Sequence, residues 1–110
     1  MWTVTALDQT TEEIGKLPTS ERTAVVHAMD KLEALGPQLG YPHTSAVQQS
    51  TGELRELRPR AGRSPWRVLY QRVGQVLVLA AIAPEANRDP RGFTRAVRRA
   101  EDRIADIQGE

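Results

Sequence analysis

The sequence predicts an α+β fold of element order β-α-α-β-β-β-α, an antiparallel sheet with a helical hairpin laid across one face. Three observations carry this reading. Apolar and polar residues alternate at the N-terminus, the period of a half-buried strand. Two helical segments follow, split by Pro18, whose ring and missing N–H end the first. From residue 53 the pattern turns to three β-type runs joined by short Gly/Pro loops, then to an amphipathic helix. With 110 residues, the chain 1–110 is expected to form one domain with its own core.

Each element has a local cause. Trp2, Val4 and Ala6 alternate with Thr3 and Thr5, whose β-branching suits a strand. Thr10-Thr11-Glu12-Glu13 offers a capping box, Thr10 capping and Glu13 reaching back to it, with Ile14 and Leu17 as the apolar positions before Pro18. A second helix is expected over about residues 20–39, capped at Thr19/Ser20, with Val25, Met29, Leu32, Leu35 and Leu39 as its stripe. Gly40-Tyr41-Pro42 marks its exit, and 41–52 reads as a loop. Residues 53–58 form a short strand stopped by Pro59, 60–65 a loop, 66–72 a clear strand, and Val73-Gly74 a turn. The near-continuous apolar run 75–82 reads as a central strand covered on both faces. After the loop 84–89, Asp89 caps the last helix and Pro90 opens it, with Phe93, Val97, Ala100, Ile104 and Ile107 on one stripe. One sheet face is expected beneath the helices and the other at least partly open.

Composition narrows the chemistry. Cysteine is absent, which excludes disulfides, thiolate metal sites and a thiol nucleophile. Two histidines, His27 and His43, are too few for a histidine-rich zinc site, so no metal and no cofactor are expected. No apolar run approaches the roughly 18–20 residues that span a bilayer, so no membrane partner is expected. Met1-Trp2-Thr3-Val4 lacks the basic-then-apolar pattern of a secretory signal, and the expected compartment is the cytoplasm.

The net charge of +1 is unevenly spread. Residues 1–52 hold three basic residues against six acids, whereas 53–110 hold 12 arginines and no lysine against eight acids. Within 55–72, Arg55, Arg58, Arg60, Arg63, Arg67 and Arg72 accompany Glu56 as the single acid. Guanidinium groups at this density repel one another unless an anion neutralises them; the plain alternative is a solvated Arg-rich surface. Alternation on the strand 66–72 sets Arg67 opposite Trp66, Val68 and Tyr70, so Arg67 and Tyr70 share a face only if a bulge intervenes. Trp2 and Trp66 suit either base stacking or burial against the sheet. His27 is expected to be solvated, and Arg95, Arg98, Arg99 and Arg103 to form a solvated helix face.

Leu54-Arg55-Glu56-Leu57-Arg58, then Trp66-Arg67-Val68-Leu69-Tyr70, then the apolar run 76–82 resemble the RelE/HigB-like toxins of bacterial type II toxin–antitoxin systems, within the RelE/ParE superfamily and including its phage-derived, host-inhibition-like branch. Members typically read L-x-E-L-R, then [YWF]-R-[VA]-L-Y, then an apolar strand, a cationic loop, a proline and a last helix. The resemblance implies a RelE-like, microbial RNase-like fold and a metal-independent endoribonuclease. Such toxins cut mRNA on the ribosome, inhibit translation, and are neutralised by a cognate antitoxin encoded by an adjacent gene. Cleavage needs the 2′-OH deprotonated, the added phosphate charge stabilised and the leaving 5′-oxygen protonated. Arginine suits the second task through its planar, permanently charged fork.

By the same resemblance, Arg67, Arg58 and Tyr70 match motif positions, and with the loop residue His43 they are the candidate catalytic residues. Arg55, Arg60, Arg63, Arg72 and Arg88 are the candidate RNA contacts. Many members carry paired lysines after the last strand; here residues 82–89 offer Arg88 alone. Because arginine is a poor general base, Tyr70, His43, Glu56 and Glu85 are the candidates for proton transfer. Two alternatives stay open: a ParE-like toxin directed at gyrase, and a non-catalytic RNA- or protein-binding domain on the same scaffold.

Overall fold

The computed structural model describes residues 1–50 and 52–109; Thr51, inside the loop predicted over 41–52, and Glu110 lie outside the described residues. The alternating N-terminal segment forms β1 (Thr3–Ala6), followed by α1 (Asp8–Gly15) and α2 (Thr19–Leu35). Two short strands, β2 (Thr44–Ala46) and β3 (Arg55–Leu57), precede two long ones, β4 (Trp66–Val73) and β5 (Val76–Pro84), and α3 (Pro90–Gly109) follows. The α+β class and the meander are as expected, with one strand more. Thr44-Ser45-Ala46 carries no apolar alternation of its own and is a strand because β3 pairs with it.

The sheet order is β1-β5-β4-β3-β2. β1 runs parallel to β5, and every other pair is antiparallel. The helical hairpin lies on one face as expected: Val25, Ala28 and Leu32 of α2 form a core with Leu57, Val68, Tyr70, Leu77 and Leu79. The expected open second face is not there. Phe93, Ala96, Val97, Ala100 and Ile104 of α3 cover it, packed on Leu69, Val78, Ala80 and Ala81, with Val47 and Leu54 beside them. An amphipathic stripe as strong as that of α3 has to be buried, and the hairpin already fills the other face. β5 is therefore covered on both sides, which its unbroken apolar run requires. Ala80 is an extra residue in β5: Tyr70 pairs with Leu79 and Leu69 with Ala81, so the bulge lets Ala80 and Ala81 both join the α3 core.

The capping box does not form. α1 starts at Asp8, Thr10 is buried inside it, and its hydroxyl has no hydrogen-bond partner among the described residues. Glu13 serves the sheet instead. β1 ends at Ala6, so β5 continues beyond its neighbour with bare backbone groups. Glu13 Oε1 accepts the Ile82 N–H at 3.0 Å, Arg103 donates to the Ala80 carbonyl at 2.9 Å, and Arg99 reaches the Ile82 carbonyl at 3.4 Å. Arg103 and Glu13 also pair at 2.9 Å. Two arginines expected to be solvated thus tie α3 to α1 and to the free edge of β5.

α2 stops at Leu35 rather than near residue 39, because Gly36 turns at φ 56° and opens a 3-10 turn over Gly36–Gln38. Its buried stripe is Ala24, Val25, Ala28 and Leu32, and Leu35 is half exposed. The Trp2 indole lies against Gly36 where a Cβ would stand.

Gly36→Ala should therefore cost about 2 kcal/mol or more in urea unfolding, from left-handed strain and overpacking together. Gly15→Ala, with open space around it, should change stability by less than about 0.5 kcal/mol. Burial raises the pKa of Glu13, but hydrogen bonds from Arg103 and the Ile82 N–H, with the charges of Arg103 and Arg99, hold it below the ordinary 4.5. A carboxylate with a depressed folded-state value stabilises fully above its unfolded value and loses that contribution as pH falls through the folded one. Stability measured below pH 4.5 should accordingly fall less steeply in Glu13→Gln than in the parent, from a lower starting value at pH 7.

Candidate functional site

The two sequence motifs become neighbouring strands, with Glu56 paired to Leu69 and Leu57 to Val68. Glu56, Arg67 and Leu69 therefore share one side, and Leu57, Val68 and Tyr70 the other. At the end of this ladder Arg67 is only 2% exposed. Its guanidinium donates to the carbonyls of Ser64 at 2.7 Å, Trp66 at 2.9 Å and Gly62 at 3.3 Å. Its Nε lies 3.4 Å from Glu56 and its Nη2 3.2 Å from Glu85. Desolvation lowers the Arg67 pKa, nearby Arg58 adds to the lowering, and Glu56 and Glu85 oppose it. Arg67 faces opposite to Trp66 as the alternation required, but it is an internal tie between a loop and two acids rather than an exposed phosphate contact.

Arg58 approaches the same cluster from the end of β3. Its Nη1 is 3.8 Å from Glu56, its Nε donates to the Pro42 carbonyl at 3.0 Å, and its guanidinium stacks 5.0 Å from the centre of the Tyr41 ring. Gly62, at φ 93°, makes room for it, since a Cβ there would meet Arg58 Nη2 at 2.5 Å. Ser45 donates its hydroxyl to Glu56 at 2.8 Å. The Glu56 carboxylate thus holds Ser45, Arg58 and Arg67 together. The Arg58 and Glu56 side chains are 18% and 15% exposed, and Tyr41 is 75% exposed. The result is a polar rim of Tyr41, Ser45, Glu56, Arg58 and Glu85, with Arg67 beneath it. A carboxylate beside a partly exposed guanidinium can take a proton while its neighbour holds a phosphate oxygen.

The other predicted residues lie elsewhere. Tyr70 is buried on the α2 side, its ring in the core. Arg55 shares that side and donates to Thr44 Oγ1 at 2.9 Å. Arg72 stacks on Trp2 at 4.8 Å. His43 lines a cleft beside α2, and its carbonyl accepts the Arg58 N–H at 2.8 Å. Arg60 pairs with Glu21 of α2 at 2.9 Å, Arg63 donates to the Arg60 carbonyl at 3.2 Å, and Arg88 is exposed on the loop before α3. Trp2 and Trp66 are partly buried against the α2-side core. Sequence reasoning brought Arg58, Arg67, Glu56 and Glu85 to the site. It missed Ser45 and Tyr41, because their role depends on β2, which carries no signal of its own.

A five-stranded sheet between a helical hairpin and a last helix is the fold of the RelE toxins. A mutant of the Escherichia coli toxin RelE in its free state shares the fold at TM-score 0.62 and 15% identity, over 89% of this chain and 96% of that one. The toxin–antitoxin complex RelBE2 from Mycobacterium tuberculosis matches at TM-score 0.59 and 18% identity, over 76% and 98% of the two chains. The archaeal RelE–RelB complex from Pyrococcus horikoshii OT3 matches at TM-score 0.55 and 22% identity, over 76% and 93%. Residues 12–83 match the family described as "Phage derived protein Gp49-like (DUF891)", and the chain belongs to that family. Comparison with curated protein sequences finds no match. Among the described residues, no helix is long and apolar enough to cross a membrane.

Arg67→Met removes the cation paired with Glu85, leaves Glu56 with the more distant Arg58 and strips three carbonyls of their donor. It should cost about 3–5 kcal/mol in chemical denaturation, the range for removing one partner of a buried pair. Arg88→Ala, on the exposed loop, should change stability by less than about 0.5 kcal/mol.

Proposed function

We propose that this protein is the toxin of a type II toxin–antitoxin pair and acts as a metal-independent mRNA endoribonuclease in the cytoplasm, on mRNA held by the ribosome. The observation that carries the reading is the Glu56–Arg58 pair on the rim of a RelE-type sheet, fixed from below by Arg67. Glu56 takes the 2′-OH proton, and the oxygen so freed attacks the adjacent phosphorus. Arg58 holds the phosphate oxygens as their charge grows, and the exposed Tyr41 ring offers a stacking surface for a neighbouring base. The 5′-oxygen leaves with a proton from water at the open side of the rim, giving a 2′,3′-cyclic phosphate and a 5′-hydroxyl. Arg67 is a positioning residue here, and the phosphate contact that sequence reasoning gave it passes to Arg58.

The neutralising partner in this reading is an antitoxin from an adjacent gene, as in the two solved complexes whose toxin chains share this fold. One observation favours a second reading, a non-catalytic binding domain: the Arg67 donors are already engaged by the protein itself. Induction in a host without the antitoxin, followed by primer extension on cellular transcripts, decides between them. The endoribonuclease reading expects growth arrest with cut mRNA, and Glu56→Gln, folded by circular dichroism, should lower cleavage about 10²–10⁴-fold, the usual contribution of a general base. Arrest with intact transcripts would overturn it in favour of a gyrase-directed or binding role.

A further inference from the structure

On the α2 side of the sheet, a cleft of about 410 Å³ opens between the helix and the end of β3. That volume lies within the ~300–1,000 Å³ typical of small-molecule sites. His27 and Lys31, one turn apart on α2, form one wall; His43, Arg58 and Arg60 form the other. Ala24, Ala28, Leu39 and Leu57 make an apolar floor. Among the described residues, no carboxylate lines the cleft. Arg60 is held at its mouth by Glu21 and the Ser20 carbonyl, and Arg58 by the Pro42 carbonyl and Glu56. The His27 and His43 rings and the Lys31 ammonium have no hydrogen-bond or ion-pair partner among the described residues. Both histidines of the chain and one of its three lysine or arginine residues before position 52 therefore converge on one cavity, beside two arginines already paired with Glu21 and Glu56, and the exposed His27 and Lys31 carry no partner among the described residues.

The wall opposite α2 is held in place under strain. Arg60 and Ala61 both sit at φ 55°, a left-handed conformation that non-glycine residues keep only where surrounding structure fixes it. This turn carries Arg60 back over α2. Cationic walls around an apolar floor match a ligand that joins a phosphate to a planar ring.

We propose that this cleft binds a nucleotide, its phosphate between the His27–Lys31 wall and the Arg58–Arg60 wall and its base on the alanine floor. The nucleotide belongs either to a free mononucleotide or to a single-stranded RNA. The inference does not rest on the cleavage reading: Arg58 alone is common to both, and the tests address Lys31 and His27. The intact protein is titrated with AMP and, separately, with a short single-stranded RNA, by calorimetry and by the NMR signals of the two histidine rings.

Saturable binding that shifts both rings is expected with at least one probe. Lys31→Glu should weaken it at least about tenfold, the loss of one charge-assisted phosphate contact. Lys31→Gln, which adds no charge to the helix, should weaken it in the same direction, and His27→Ala should weaken it further in combination. AMP binding with this dependence supports a free-nucleotide site; RNA binding alone with this dependence places an RNA strand in the cleft. Binding of neither probe tighter than about 1 mM, or binding indifferent to both Lys31 variants, overturns the proposal. Cleavage lost in Glu56→Gln with cleft binding retained separates this site from the rim.

Discussion

The arrangement of the rim depends on one buried cation. Arg67 is enclosed where β4 leaves the 59–65 loop, and it ties that loop to Glu56 on β3 and to Glu85 just past β5. Burying a guanidinium is costly unless its donors are matched, and here three carbonyls and two carboxylates match them. The consequence is directional. Glu56 cannot swing away without leaving a buried charge short of a partner, so its carboxylate stays presented to Ser45 and Arg58. The stiffness of the rim is a by-product of satisfying Arg67.

The same solution closes the opposite edge of the sheet. β1 is too short to pair the whole of β5, and the bare groups from Ala80 to Ile82 are taken by Glu13, Arg99 and Arg103. A strand would have been the usual partner; side chains from two helices serve because the bulge at Ala80 turns the ladder there. Much of the arginine excess that reads as a polyanion surface is therefore engaged in contacts within the protein. Arg60 and Arg103 are paired with acids, Arg72 lies on an indole, and Arg55 is bonded to a threonine hydroxyl.

What was legible in the sequence follows from periodicity. Alternation placed β1 and β4, the stripe Phe93–Val97–Ala100–Ile104 placed α3, and Pro18 separated the two helices. The opposed faces of Arg67 and Tyr70 were also legible, since a period of two survives along β4. The covering of the second face was implied by the apolar run of β5, which no half-open sheet would need. Charge pairing was not legible. Glu13 and Arg103 stand 90 residues apart, and nothing local marks either as the other's partner. Thr10 had every local reason to cap a helix, yet α1 begins before it. β2 exists through pairing alone, and with it went Ser45 and Tyr41.

The burial of Arg67 also limits which cation of the rim an outside group can reach. A partner that laid acidic side chains over the motif arginines could not reach Arg67, which is 2% exposed and already bonded on all sides. The accessible cation of the rim is Arg58, and its aromatic support, Tyr41, projects into solvent. An acidic group drawing Arg58 toward itself would compete with Glu56 and the Pro42 carbonyl, and would cover Tyr41 as it did so. Such a group would have to outcompete an ion pair of 3.8 Å, the longest in the cluster. The Glu56–Arg58 pair is thus the contact of the rim most open to displacement.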